Sequence, residues 1–209
     1  MFMKILTVSD NVLRKLEHRE NLERNYGSVN VVISCGDLPH GYLEYITGVL
    51  NVPLFYVRGN HDIYYSAEHP GGENLHRRVV RFNGYLFAGL EGCIRYNRDP
   101  IQYTDYEMLG LVLEMYPRVL FARARNRRRL DVMVTHAPLH RIHDLPDKAH
   151  HGFKAFRLMA RLFKPRYLIH GHVDTHDPKV VTRTRFYGTE ILNINPSKVL
   201  DLTDNSGGT

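Results

Sequence analysis

Aspartates, an asparagine and histidines recur along this chain in short groups, most of them marked by glycine. They are Ser9-Asp10, Gly36-Asp37, Gly59-Asn60-His61-Asp62, Thr135-His136-Ala137 and Gly171-His172-Val173-Asp174. Carboxylate, amide and imidazole donors in this mixture suit hard-to-borderline divalent cations. One such group alone carries little. Gly-Asp ordinarily marks a turn, and Thr-His-Ala-Pro ordinarily ends a strand. The set in series, each member behind an apolar run, has no comparable structural explanation.

Those apolar runs must position the donors. Lys4 to Val8, Val31 to Cys35, Pro53 to Val57, Asp131 to Val134 and Tyr167 to Ile169 have the length and residue types of buried strands. Their exits would deliver the donors to one sheet edge. Gly41 to Leu50 reads as a short helix between parallel strands. Val12 to Tyr26 is mostly charged and reads as partly helical. Arg77 to Phe82 and Tyr85 to Leu90 flank Asn83-Gly84, which predicts a type I′ hairpin. A long helix starts near Thr104. Ala155 to Phe163 is apolar at helical spacing and stops before Pro165. Strands are expected over Lys179 to Tyr187, Glu190 to Ile194 and Lys198 to Leu202. Parallel βαβ units followed by antiparallel hairpins suit two packed sheets with helices outside. Residues 1–203 are expected to form a single domain, and 204–209 a flexible tail.

A chain of 209 residues can bury a sizeable core, and 43% hydrophobic residues is ordinary for a globular protein. Cys35 and Cys93 make no disulfide framework, and Cys35 reads as a small buried hydrophobe. No signal peptide or membrane span is visible, so a cytoplasmic protein without membrane contact is expected. The net charge of +6 points to anionic partners. Its densest cluster is Arg123, Arg125, Arg127, Arg128 and Arg129, expected as the solvated end of the long helix. No interleaved aromatics make it a base-stacking platform, so nucleic acid is possible but not indicated by motif. The oligomeric state is left open.

In their order the donor groups resemble the calcineurin-like metallophosphoesterase family. Its pattern is Asp-x-His, Gly-Asp, Gly-Asn-His-Asp/Glu, a lone His, then Gly-His-x-His. The resemblance runs from Lys4 to about Asp174 and looks nearest to the small single-domain bacterial and archaeal members. It implies an α/β fold, a four-layer α/β/β/α sandwich of two mixed sheets flanked by helices. It also implies a two-metal site at one end and hydrolysis of phosphomonoesters or phosphodiesters.

Carried over residue by residue, one metal site of the family falls on Asp37, Asn60, His136 and His172, all present. The other falls on Asp10, the shared Asp37, and two positions that depart from the pattern. Val12 stands where the first motif has histidine, and Asp174 where the last motif has its second. Both departures strike the same metal. Two outcomes are open. Asp10, Asp37 and Asp174 form an oxygen-rich site that prefers manganese, iron or magnesium to zinc. Alternatively the site is weak or empty and Asp174 turns the chain. His176 and Asn11 are lesser substitutes; their plain readings are an exposed loop histidine and a helix N-cap.

The chemistry implied is attack of a metal-bound hydroxide on phosphorus, with one or two divalent ions per chain neutralising the anion. His61 follows a ligand directly and is assigned as general acid, with Asp62 orienting it. The plain reading of Asp62 is a turn-stabilising side chain. Arg58, Arg95 and Asn97, with Tyr96, are candidates for binding the substrate phosphate, or for structural roles. His140, His143, His150 and His151 crowd the segment after His136, either as surface histidines or as groups near substrate or metal. A phosphodiester is favoured over a monoester, because a dianionic monoester asks for more positive charge than an oxygen-rich site offers. The alternative reading is a non-catalytic scaffold, as in family relatives with degraded metal sites such as the retromer scaffold subunit.

Overall fold

The computed structural model describes residues 2–177 and 179–203, except for the side chain of Ser66. The expected tail, 204–209, lies outside the described residues. In chain order the elements are β1 (Phe2–Val8), α1 (Arg19–Tyr26), β2 (Val31–Ser34), α2 (His40–Leu50), β3 (Leu54–Tyr56), β4 (Glu73–Asn74), β5 (Val79–Phe82) and β6 (Tyr85–Leu90). Then come β7 (Cys93–Ile94), β8 (Gln102–Tyr103), α3 (Asp105–Asn126), β9 (Val132–Thr135), α4 (Lys154–Phe163), β10 (Tyr167–His170), β11 (Arg183–Phe186), β12 (Thr189–Asn193) and β13 (Ser197–Thr203).

Two large sheets result, ordered β13-β1-β2-β3-β4 and β11-β12-β10-β9-β6-β5. The strands that precede donor groups are parallel within each sheet: β1, β2 and β3 in the first, β9 and β10 in the second. Antiparallel partners close three of the edges: β13 on β1, β5 on β6, and β11 on β12. The Asn83-Gly84 hairpin forms as expected, with φ of 46° and 82° at its two central residues.

Side-chain alternation explains the layering. Ile5, Ile33 and Phe55 meet Phe87, Val134 and Ile169 between the two sheets. Their strand neighbours Leu6, Val32 and Leu54 turn outward onto Leu22, Leu43 and Ile46 of α1 and α2. On the other side, Leu86, Met133 and Leu168 pack on Met108, Met115, Phe156 and Met159 of α3 and α4. Period-two strands with both faces apolar therefore give a four-layer α/β/β/α sandwich. Helix α3 begins in a capping box between Thr104 and Glu107. Cys35 and Cys93 are buried free thiols. Among the described residues, no helix is long and apolar enough to cross a membrane.

One local expectation is met and another changes. Only Arg19–Tyr26 of the charged N-terminal stretch is α-helical, preceded by a 3-10 turn at Arg14–Leu16 that buries Leu16. The arginine cluster is not simply a solvated helix end. Arg128 forks onto Asp131, with Nε 2.7 Å and Nη2 2.9 Å from its two oxygens, and lies 4.3 Å above the Tyr85 ring. Arg123 donates to the Phe163 carbonyl, and Arg129 to those of Lys164 and Pro165. These three arginines tie the end of α3 to the α4–β10 turn and to β6 and β9.

Asp131 is 2% exposed, so removing its arginine leaves a buried charge unpaired. Arg128→Glu is therefore expected to cost about 3 kcal/mol or more of unfolding free energy. Arg125→Glu, on an exposed residue, should stay within about 0.5 kcal/mol. Urea unfolding of both variants checks the contrast. Equal midpoints would show that the Arg128–Asp131 pair does not hold this corner.

Candidate metal centre

The exits of β1, β2, β9 and β10 converge. Ligand atoms of Asp10, Asp37, His136 and His172 all lie within 4.8 Å of one another. Asn60, delivered by the turn after β3, joins them, its Oδ1 3.1 Å from His136 Nε2. Three of these residues leave their strands in the left-handed region, Asp10 at φ 62°, Asp37 at 58° and His172 at 65°. That conformation costs a non-glycine residue roughly 1–2 kcal/mol, and such strain gathers at functional sites. Close approach of the turns also demands glycine. A Cβ on Gly59 would stand 2.0 Å from Asp37 Oδ1, and one on Gly171 would stand 1.9 Å from Ser9 Oγ.

Hydrogen bonding decides which atoms face the centre. His136 Nδ1 donates to the Cys35 carbonyl at 2.8 Å. Its Nε2 is then turned on two oxygens, Asn60 Oδ1 at 3.1 Å and Asp37 Oδ2 at 3.3 Å. Three lone-pair-bearing atoms aimed at one another need a positive charge between them. A proton is the minimal answer. Burial opposes charge on His136, but the Asp37 carboxylate prevails and holds the imidazole up at about 9. Burial would likewise raise Asp37, yet His136 brings it down to about 2. A divalent cation answers the same demand with all donors deprotonated, so the residues present fit one.

His172 is prepared differently. Its Nε2 donates to the Ala149 carbonyl at 2.7 Å, which leaves Nδ1 as the ligand atom. Burial, then repulsion from His136, lowers it to about 3, so it is neutral without help. Asn60 Nδ2 donates to the Tyr96 hydroxyl at 3.2 Å, which turns Oδ1 inward. Asp10 accepts the His172 backbone N–H at 2.9 Å. Each donor is thus aimed by a second contact.

Several residues expected at the site stand elsewhere. Asp174 does not join the cluster. Its side chain is 57% exposed, accepts the His176 N–H at 3.1 Å and pairs with the His176 ring at 3.3 Å. The loop after His172 folds on itself there. Val12 is an exposed hydrophobe. Asn11 caps no helix; its amide donates to Asn195 Oδ1 at 3.0 Å. Asp62 is buried, and its Oδ2 takes the backbone N–H groups of Gly59 and Asp37 at 2.7 and 2.8 Å, not the His61 ring. It braces two donor turns against each other. Burial and then Asp37 push its carboxyl up to about 6.

The phosphate-binding candidates are also engaged. Arg58 forks onto the buried Glu91 at 2.7 Å for both bonds. Arg95 pairs with Glu107 at 3.0 Å, and Asn97 closes a turn with Asp99 and Gln102. His61 does stand at the rim. Its side chain is 76% exposed, with Nε2 4.0 Å from Asp37 Oδ2. Its backbone N–H donates to Asp37 Oδ1 at 2.8 Å, which fixes the root of the ring. It borders a cleft of about 420 Å³ lined also by His40, Tyr64, Tyr65 and Glu68. Sequence reasoning had no access to the carbonyls of Cys35 and Ala149, since backbone groups leave no residue-type signal.

The model of the calcineurin-like phosphoesterase family matches residues 3–176. One solved crystal structure, 16% identical, superposes with a TM-score of 0.67, covering 96% of this chain and 95% of its own. The crystal structure of TT1561 of Thermus thermophilus is 13% identical, with a TM-score of 0.62 over 94% of this chain and 90% of its own. At such identities these likenesses concern the fold alone. The comparison with curated proteins finds no match. The family model spans every strand exit that carries a donor; this chain belongs to the calcineurin-like phosphoesterase family and is a metal-dependent phosphoesterase.

Proposed function

We propose that this protein hydrolyses a phosphodiester at the centre between Asp37 and His136. Asp37, Asn60, His136 and His172 form its tight cation site. Asp10 and Asp37 form a weaker, oxygen-lined one, with Val12 and Asp174 contributing nothing to it. The observation that carries this reading is His136 Nε2 turned on Asp37 and Asn60, at 3.3 and 3.1 Å, with Nδ1 already spent on Cys35. Divalent ions bound there supply charge neutralisation and a water of lowered pKa. Asp37 would be a donor to both sites. His61 stands at the mouth of the cleft, where an ester group enters, and is the general acid for the leaving alkoxide.

The diester preference has support in the surroundings. A monoester brings a second negative charge. Arg58 and Arg95, the arginines nearest in sequence to meet it, are neutralised by Glu91 and Glu107. A carboxylate-lined second site adds little net positive charge. Oxygen donors there also favour manganese, iron or magnesium over zinc.

The test is hydrolysis of bis(para-nitrophenyl) phosphate and para-nitrophenyl phosphate with manganese supplied after chelation. Faster turnover of the diester is expected. Preference for the monoester would remove the charge argument. No cleavage of either ester with manganese, iron, cobalt, nickel or magnesium would leave the scaffold reading in place of the enzyme.

A further inference from the structure

A second group of donors shares no residue with the first. His140, Asp144 and His151 bring one ligand atom each within 4.8 Å of the others. Backbone pairing of the local chain builds this group. Ile142 N–H closes a turn on the Leu139 carbonyl, which brings Asp144 back toward His140. His140 N–H donates to Phe153 and Phe153 N–H to Pro138, at 3.1 and 3.2 Å, which returns His151 to the same place. Gly152 permits that contact, since a Cβ there would stand 2.5 Å from the His140 nitrogen. The two imidazole rings end 4.7 Å apart at 48°.

One atom in this group lacks what every buried polar atom needs. Among the described residues, His140 Nδ1 is the buried side-chain nitrogen without a hydrogen-bond partner. Asp144 Oδ2, at 3.5 Å, is beyond ordinary hydrogen-bond length, and it accepts the Gly152 N–H at 3.2 Å. A buried ring nitrogen that faces a carboxylate and a second imidazole without bonding either is placed as a ligand atom is placed.

We propose that His140, Asp144 and His151 bind a separate divalent cation of the zinc class, which clamps the loop that orients His172. Two imidazoles and one carboxylate, with a fourth position for water, is a donor set zinc takes readily. The clamped loop matters because Ala149 lies on it. Its carbonyl accepts His172 Nε2 at 2.7 Å, and the neighbouring His150 ring lies 5.1 Å from that of His172. Within the loop, Asp147 holds the Ala149 and His150 N–H groups, and Leu145 N–H reaches the His150 carbonyl. The cation would join the loop's two ends, Asp144 and His151, to His140. Its role is to position His172, and no step of hydrolysis passes through it.

The test is metal counting on the full chain, stripped with chelator and reloaded with zinc or cobalt. His151→Gln changes a half-buried side chain and should leave the thermal melt of the stripped protein unchanged. It is expected to hold about one equivalent fewer than wild type and to lose part of the cobalt d–d absorption. Asp144→Asn should do the same. A His136→Ala, His172→Ala double variant should keep that equivalent and that absorption. Unchanged stoichiometry and spectrum in both His151→Gln and Asp144→Asn would overturn the site. So would a folded double variant that binds no metal. An inactive wild type that retains the His151-dependent cation would instead refute the phosphodiesterase reading and leave this one standing.

Discussion

Replacing His61 by alanine is expected to slow cleavage of a diester with a poor leaving group by about two to four orders of magnitude. The imidazole is the exposed titratable ring beside the centre, 76% open, with Nε2 4.0 Å from Asp37 Oδ2. Among the described contacts it bonds no carboxylate at hydrogen-bond distance, so its ring is free to meet substrate. What fixes it is its own backbone N–H, held on Asp37. Alanine keeps that bond and removes only the proton carrier. Metal content should therefore match wild type, and the loss should fall on turnover more than on KM. It should shrink for a para-nitrophenolate leaving group, which departs without a proton. A variant that is fully active on a poor leaving group would remove His61 from the reaction while leaving the cation sites untouched. A variant that loses metal would show that the ring supports Asp37 and is not the acid.

Much of the fold and of the centre is legible in the residues alone, and each legible part has a physical reason. Strand alternation and the βαβ rhythm determine layers, because a strand with both faces apolar must be covered twice. Thus Val31 to Ile33 demands a helix on one side and a second sheet on the other. Asp37, Asn60, His136 and His172 are legible because donor types at strand exits have few other uses. The residues whose contacts the sequence does not reveal are those where one residue type serves two purposes. Asp62 and Asp174 are both aspartates beside a histidine or near one, and both hold backbone N–H groups. Asp accepts such bonds readily in any tight turn. Arg58 and Arg95 are engaged elsewhere because their partners, Glu91 and Glu107, lie far along the chain and give no local signal. The same holds for Arg128 and Tyr85, which meet only once β6 and β9 are paired.

Manganese is expected to bind the tight site about tenfold more strongly for each pH unit gained, up to about pH 9. The metal-free centre holds a proton on His136, kept there against burial by Asp37, and a cation must displace it. His172, lowered to about 3, is already neutral and releases nothing in this range. One proton should therefore leave per ion bound, measurable by titration calorimetry in buffers of different ionisation enthalpy. The same proton gives an opposite trend in stability. The folded value of about 9 lies above the ordinary 6.5, so the His136–Asp37 pair stabilises the metal-free fold fully below pH 6.5. That contribution is lost as pH rises through 9. The metal-free melting temperature should thus decline across this window while the increment added by manganese grows. Asp62, raised to about 6, titrates below the window and does not confuse it. His136→Ala should abolish both slopes and weaken manganese binding, with partial rescue of activity by excess metal. Affinity independent of pH, with no proton released, would mean that His136 is not where the cation sits. The tight site would then have to be rebuilt around Asp10 and Asp37.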